Sequence, residues 1–344
     1  MIENLEIRSQ SDREIIGIVD NMKSVIWHSV YYGVGDFEIY LPATGKHMDL
    51  LKHGNYITRP DDIEVGIIEN IQITNDENGL MLIVTGRFAK SILDRRHIYN
   101  LSGKTNTPTI LRGNVENNVR SLVSDNAISC AFDSNRNIPF LELGKLNNIP
   151  TIIVDDKGQP AQKQVSYDNL LTYSDSVLEE YRLGSTVILD DDSKKLLYIV
   201  YEGINRSIDN PDDNEAVIFS YEFDNISQSS YVYDITPMKT AALIGGEGEG
   251  LERFYSIIQG NAQGENRRET WVDASSITKT YQDESGDEHV YTDEQYTEML
   301  NAQGKQALST LIPTESFEGT LLVNGGVWRL NRDYTLGDVV TIED

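Results

Sequence analysis

Alternating apolar and polar residues recur in short stretches through the first hundred positions. Turn residues bound each stretch, which predicts strands at 15–19, 25–27, 37–41, 65–73 and 80–85. Residues 76–79 read Asp-Glu-Asn-Gly, and Asn-Gly favours a tight hairpin between the strands on either side. Successive strands joined by short turns predict an antiparallel meander, closed into a small barrel. A helix of little more than one turn follows and ends in the paired arginines 95 and 96.

The middle of the chain is less regular and contains two predicted helices. Apolar residues at helical spacing predict a short helix over residues 115–123. A second helix is predicted to open at Ser166 and to stop at Gly184. Between them, residues 133–164 are rich in Asn, Asp and Pro, which indicates loops with isolated strands.

The strand pattern resumes at Thr186. A hairpin is predicted from 186–189 and 196–201, across a turn at 190–193. Thr292 and Gln295 have the spacing of a capping box, which predicts a helix over about 292–312 before Pro313. Further strands are predicted at 216–223, 241–244, 254–258, 269–272, 319–323, 327–330 and 339–342.

These elements predict an α+β fold that is mainly antiparallel β, with two β-rich units and a helix-containing region between them. The expected division is an N-terminal barrel domain at 1–97, a mixed middle region at 98–185, and a β-rich domain at 186–344. The helix at about 292–312 is an insertion in the last of these. The final stretch, YTLGDVVTIED, reads as a strand whose partner should come next, so we expect the second barrel to be incomplete or completed by other strands.

The chain is strongly acidic, with 55 Asp and Glu against 29 Lys and Arg and a formal net charge of −26. Such a surface repels nucleic acid phosphates and anionic membranes, which argues against specific binding to either. It suits a passage through which DNA slides without sticking, and solubility explains it equally well. The 18 Tyr residues, against 8 Phe, suit half-exposed strands and interfaces.

The cysteine count and the length of the apolar runs indicate the compartment in which the chain folds. The single cysteine, Cys130, allows no intrachain disulfide and no cysteine-based metal site. The first twenty residues contain no apolar stretch of signal-peptide length. The longest apolar run, 196–201, is far too short to span a bilayer. We therefore expect a protein that folds in a cytoplasm.

No catalytic, cofactor or metal residue is predicted. The glycine-rich segment 245–250 lacks the Gly-Lys-Ser/Thr ending of a phosphate loop and contains two glutamates. The aspartates at 190–192 lack the spacing of a calcium loop and are expected at a hairpin tip. No metal-ligand spacing relates the histidines, no Gly-x-Ser-x-Gly string occurs, and Cys130 is expected to be buried. Arg267 and Arg268 suit either ion pairs across an interface or a solvated turn.

Four strings in the first hundred residues, taken in order, resemble the N-terminal barrel of phage tail-hub proteins, also called Tal-like or baseplate hub proteins. They are FEIYLP, LLKHGNYITRP, VGIIENIQI and GRFAKSILDRR. Later strings resemble the branch of that family found in Gram-positive phages, prophages and tailocins. They are DSNRNIPFLELG, YDNLL, LGSTVILDDD, VYEGINRS, VIFSYEFDNI, AALIGGEGEGLERF and YTLGDVV.

The resemblance implies a non-enzymatic structural protein of the virion tail or of a tail-like particle. It implies a homotrimer in which each subunit contributes two tail-tube-like barrels to a six-barrel ring. Its implied partners are the tail tube or distal tail protein above, a spike, fibre or receptor-binding protein below, and the tape-measure protein in the lumen. Two alternatives remain, a carbohydrate- or receptor-binding tail-tip module and a cell-wall hydrolase.

Overall fold

Strands make up most of the regular structure in this computed structural model, which describes residues 4–76, 79–102, 105–155, 158–282, 288–321 and 328–343. The chain forms two units, a larger one of Met1–Ser220 with Gly326–Asp344 and a smaller one of Tyr221–Gly325. The sheets are mostly antiparallel and a few helices accompany them, so the fold is α+β.

The larger unit begins with two four-stranded sheets, in the strand orders β2-β1-β5-β6 and β3-β4-β8-β7. Their strands are β1 (Leu5–Arg8), β2 (Ile15–Val19), β3 (Ser24–His28), β4 (Asp36–Pro42), β5 (Tyr56–Thr58), β6 (Val65–Ile67), β7 (Asn70–Asp76) and β8 (Gly79–Arg87). Apolar side chains from both sheets, among them Ile7, Phe37 and Val84, pack into one buried cluster between them.

The described strands do not form the predicted meander or a closed barrel. The predicted strand 65–73 is two strands in different sheets, β6 and β7, and the chain crosses at the buried Ile68. A single bridge from Gly66 to Phe88 links the two sheets, and no closed barrel is detected among the described strands. β7 and β8 pair as predicted, with Asp76 opposite Gly79, although the turn residues 77 and 78 lie outside the described residues.

The rest of the larger unit surrounds a second and larger core. Its strands are β9 (Leu101–Ser102), β10 (Thr105–Asn106), β11 (Thr109–Arg112), β12 (Leu141–Leu143), β13 (Gln162–Val165), β14 (Leu183–Asp190), β15 (Lys195–Glu202), β16 (Asn205–Arg206), β17 (Ile218–Ser220) and β25 (Val339–Glu343). The predicted hairpin is confirmed as β14 and β15, paired from Leu183 and Glu202 to Asp190 and Lys195. This core joins side chains from all three predicted segments, such as Ile67, Val119 and Tyr198. The three-part division of the chain stays a prediction.

Each α-helix starts after a side chain that caps it. The helices are α1 (Gly45–Leu50), α2 (Val115–Val123), α3 (Leu170–Glu180) and α4 (Asp293–Thr310). The caps, which accept a hydrogen bond from the backbone N–H three residues on, are Thr44, Asn114, Asn169 and Thr292. Shorter turns are the 3-10 helices Ala89–Arg95, Ser134–Arg136, Gly250–Glu252 and Gly264–Asn266 and the π-helix Ser124–Ile128.

The helix predictions hold with one correction. Residues 115–123 are helical as predicted, and both halves of the capping box at Thr292 and Gln295 are present. The second helix starts at Leu170 rather than at Ser166, because the Asn169 side chain caps it. It ends at Glu180, where Arg182 takes a positive φ of 58°, and Gly184 already belongs to β14.

The last strand has its partners earlier in the chain, rather than in a strand that follows it. β25 lies between β16 and β17 and pairs in parallel with both. The predicted strand 327–330 is reduced to a single bridge between Leu330 and Tyr334, and residue 327 lies outside the described residues.

The smaller unit contains a three-stranded sheet, a long two-stranded ribbon and a short hairpin. Its strands are β18 (Ile226–Asp234), β19 (Ala241–Gly245), β20 (Tyr255–Ile258), β21 (Glu269–Asp273), β22 (Thr280–Gln282), β23 (Glu288–Val290) and β24 (Thr314–Leu321). α4 packs on one face of the sheet, where Ile244, Tyr296 and Leu300 form the core of this unit. The predicted strand 319–323 begins earlier, at Thr314, and residues 322 and 323 are not described.

Candidate functional site

A small apolar pocket of about 130 Å³ lies in the larger unit, beside β6, β14 and β15. Glu64, at its wall, is only 7 % exposed and accepts a hydrogen bond at 3.2 Å from the Thr186 hydroxyl. Burial, followed by the nearby Asp62 carboxylate, raises the pKa of Glu64 to about 7. Burial also raises the pKa of Tyr201, which lines the same pocket. The pocket can therefore hold or release one proton near neutral pH.

The predicted hairpin tip at 190–192 is more than a solvated turn. The Arg8 guanidinium, which is buried on β1, donates to Asp191 Oδ1 at 2.6 Å. This hydrogen bond is the largest cause that lowers the pKa of Asp191. Asp190 accepts hydrogen bonds from the backbone and side chain of Ser193, which holds the turn. Asp191 therefore fastens the hairpin to the first sheet, and Asp190 holds the turn itself.

The glycine-rich segment folds against α4 of the smaller unit. Gly246 N–H donates to Phe254 O at 2.8 Å, and Glu247 N–H donates to the Tyr296 hydroxyl at 2.7 Å. Arg253 donates to Asp273 at 2.6 Å. Because backbone donors of this loop are already bound within the protein, the arrangement is that of a structural turn, unlike a phosphate loop.

The remaining sequence candidates have structural partners. Cys130 is buried, as predicted, with Arg136 Nη1 at 3.7 Å from its sulfur. Arg267 donates to Glu269 at 2.7 Å, and Arg268 donates to the carbonyl of Ile235. Both arginines therefore have partners within the chain.

Neither a metal centre nor a membrane-spanning helix is found in the described part of the chain. No group of three or more His, Cys, Asp or Glu residues there is placed to hold a metal ion. None of its helices is both long and apolar enough to cross a membrane.

Comparison with known proteins decides the family. A family model described as siphovirus ReqiPepy6 Gp37-like protein matches residues 4–344. The chain belongs to this Gp37-like siphovirus family. The resemblance to phage tail proteins is thereby confirmed. No curated protein matches the sequence.

A solved structure of a prophage tail protein resembles this chain in fold. The 43 kDa tail protein of prophage MuSo2 from Shewanella oneidensis is 12% identical, with a TM-score of 0.55 over 99% of this chain and 89% of that one. A tail protein from Neisseria meningitidis MC58 is 12% identical, with a TM-score of 0.49 over 99% and 86%. The prophage tail protein gp18 from Listeria monocytogenes EGD-e is 13% identical, with a TM-score of 0.42 over 92% and 80%. The first of these likenesses establishes a shared fold.

The sequence alone did not identify two residues that organise the larger unit, Glu64 and Arg8. Glu64 stands alone among the apolar residues 63–67, and a lone carboxylate in such a run is the signal that could have marked it. Arg8 gave no local signal, because its partner Asp191 lies 183 positions away.

Proposed function

We propose that this protein is a structural, non-enzymatic subunit of a tail-tip hub. In this proposal three copies form a ring that joins the tail tube to a distal spike or fibre. The ring leaves a channel for DNA or for the tape-measure protein. The observation that carries the proposal is the family match, which accounts for residues 4–344 as a phage tail protein.

The charge of the chain supports a role at a channel. The net charge of −26 repels DNA phosphates, so a wall built from this protein lets DNA pass without retaining it. The proposed neighbours are the tail tube or distal tail protein above and a spike, fibre or receptor-binding protein below. The subunit folds in the host cytoplasm and then resides in the virion tail.

An exposed apolar edge supports assembly through the larger unit. β2 is the outer strand of its sheet, and Ile15, Ile16 and Ile18 on it are 47%, 44% and 48% exposed. The register between β1 and β2 shifts by one residue at Ile16, a bulge of the kind that limits backbone pairing at an edge, so a neighbouring chain would cover the apolar side chains of β2. We propose that residues 1–97 act as a tube-like domain whose open edge is covered in the ring.

The exposed aromatic side chains of the smaller unit favour one other function. Tyr231, Tyr233 and Trp271 are 61%, 58% and 48% exposed, and aromatic rings on a surface can stack on sugars or receptor side chains. A carbohydrate- or receptor-binding module would show micromolar binding on a glycan array or to cell walls. A structural hub would show none.

Electron microscopy of the purified chain, with class averages sorted by symmetry, tests the hub proposal. The expected result is a three-fold or pseudo-six-fold ring with a central opening. Compact single copies at every concentration, without an opening, would count against a self-assembling hub.

A further inference from the structure

The pocket beside β6, β14 and β15 combines apolar walls with one buried carboxyl group. Its walls include four aliphatic side chains, those of Ile63, Ile199, Leu330 and Leu336, and Glu64 lines the same pocket. Ile63 and Leu330 are 49% and 38% exposed, so the pocket is accessible from solvent. Its volume of about 130 Å³ far exceeds the ~10–15 Å³ that one water needs, so it has room for an organic group.

One oxygen of the Glu64 carboxyl group has no partner in the described part of the chain. Oε2 accepts a hydrogen bond from the Thr186 hydroxyl at 3.2 Å, whereas Oε1 accepts none from the residues that the structure describes. Oε1 is not among the enclosed unpaired atoms of these residues, which leaves it open to the pocket. Lys90, whose charge opposes the rise in the pKa of Glu64, lies 3.0 Å from Asp175 instead.

The other polar groups of the pocket leave Glu64 as the carboxylate that a ligand can pair with. Asp62 accepts a hydrogen bond from the Glu64 N–H at 2.9 Å and lies 3.8 Å from the Arg59 guanidinium. The Tyr201 hydroxyl lines the pocket and forms no hydrogen bond with a described residue. One carboxylate oxygen and one phenol oxygen are therefore available to a bound donor.

We propose that this pocket binds a primary alkylammonium group, with the ammonium on Glu64 and the alkyl chain against the aliphatic walls. A buried carboxylate is stable only when it is paired. An ammonium has three N–H donors, which the Glu64 carboxylate and the Tyr201 hydroxyl can accept. A divalent cation would need about six oxygen ligands, and the described residues offer no group of three acidic or histidine side chains for it.

Titration of the full chain with n-butylamine, followed by methyl NMR, tests the site. The methyl groups of Ile63 and Ile199 report contact with the ligand directly, and n-butanol is the uncharged control with the same alkyl chain. At pH 8, above the pKa of Glu64, we expect both methyl signals to shift with n-butylamine. The expected dissociation constant is about 1 mM or lower, and about tenfold higher for n-butanol.

Glu64→Gln isolates the carboxylate, because it keeps the shape of the side chain and removes the charge. We expect this variant to bind n-butylamine at least ~10-fold more weakly than the wild type. Glu14→Gln is the matched control and should bind as the wild type does, because the Glu14 side chain is 61% exposed and lies outside the pocket. Circular dichroism first confirms that both variants are folded. The comparison of the two ligands on the wild type decides the question even without a variant.

A primary alkylammonium group occurs both in free amines and at the end of a lysine side chain. Nα-acetyl-lysine methylamide distinguishes these sources, because its ammonium is attached to a bulky peptide-like end. Shifts of the same two methyl signals with this probe would support the proposal and identify a lysine of an adjoining protein as the source. Shifts with n-butylamine alone would support it and identify a free amine.

Three results would overturn the inference. The first is equal affinity for n-butylamine and n-butanol, the second is unchanged n-butylamine binding by Glu64→Gln, and the third is the absence of any shift at Ile63 and Ile199. Each of these concerns the pocket alone. A hub ring seen by electron microscopy would stand beside any of them, so the failure of this inference and the failure of the hub proposal are distinguishable.

Discussion

Arg8 Nη1 donates to Asp191 Oδ1 at 2.6 Å, and this ion pair fastens the first sheet to the β14–β15 hairpin. The Arg8 side chain is 4% exposed and also contacts Glu6 and Thr58, whereas the Asp191 side chain is 64% exposed. The two partners therefore differ. Loss of the buried Arg8 side chain leaves its acceptors unpaired, whereas water can reach the Asp191 carboxylate.

We expect Arg8→Ala to lower the free energy of unfolding by about 3 kcal/mol, since it breaks a largely buried network. Asp191→Asn should cost less, about 1 kcal/mol, because that carboxylate is exposed. Urea unfolding at pH 7 measures both. Asp192→Asn at the same exposed tip is the control and should lie within about 0.5 kcal/mol of the wild type. Equal losses for the Asp191 and Asp192 variants would contradict a role for the ion pair.

The buried Glu64 predicts a pH-dependent stability. Its pKa is raised from 4.5 to about 7, so the folded protein holds a proton that the unfolded chain releases. The contribution of Glu64 to the free energy of unfolding is therefore fully present below pH 4.5. It is lost as the pH rises toward 7, and above pH 7 the free energy of unfolding no longer changes through this group. The loss amounts to roughly 3 kcal/mol at most, from the energy of one pKa unit.

Glu64→Gln tests this prediction, because an amide accepts the Thr186 hydrogen bond without ionising. Relative to the wild type, the variant should become more stable between pH 5 and pH 8. Thermal melting at both pH values, with the exposed Glu14→Gln as a control, gives the comparison. Parallel curves for the wild type and Glu64→Gln would show that Glu64 does not ionise in this range.

Asp338 holds the last strand in place. Its side chain is fully buried and accepts hydrogen bonds from Arg206 Nε at 2.9 Å and from Ile204 N–H at 2.7 Å. We expect Asp338→Ala to destabilise the larger unit by about 3 kcal/mol, because it leaves the arginine unpaired. The exposed Asp209→Ala should change stability by less than about 0.5 kcal/mol. Protection of β25 amides from hydrogen exchange should fall in the first variant only, and unchanged protection would refute this role.

Gly304 lets α4 lie close to its sheet. A Cβ at this position would come within 2.8 Å of the ends of Ile244 and Ile258. Because those ends can move, Gly304→Ala should be tolerated to within about 1 kcal/mol, and Gly304→Leu should cost about 3 kcal/mol through overpacking. Calorimetry of the two variants measures the difference. A leucine as well tolerated as alanine would mean that the helix does not pack as described.

Local signals predicted the elements that local interactions stabilise. The β14–β15 hairpin and the capping box of α4 follow from alternation and from side chains three residues apart, and both are present. Pairings between distant segments left no such signal. Alternation through residues 65–73 could not reveal the change of sheet at Ile68, and nothing in β25 identified β16 and β17 as its partners.

The candidate surfaces were harder to predict than the strands. The sequence showed a surplus of Tyr, but alternation alone does not reveal which face of a strand remains open. Trp271 and Leu243 look like ordinary core residues until the register places them opposite the face that α4 covers. Partner surfaces therefore required the three-dimensional pairing.

The most direct test of the hub account is a cryo-electron microscopy reconstruction of the intact tail that contains this protein. The account predicts three copies around an open channel at the tip, between the tail tube and the distal spike or fibre. Copies bound to the outside of the tail, away from the channel, would contradict it.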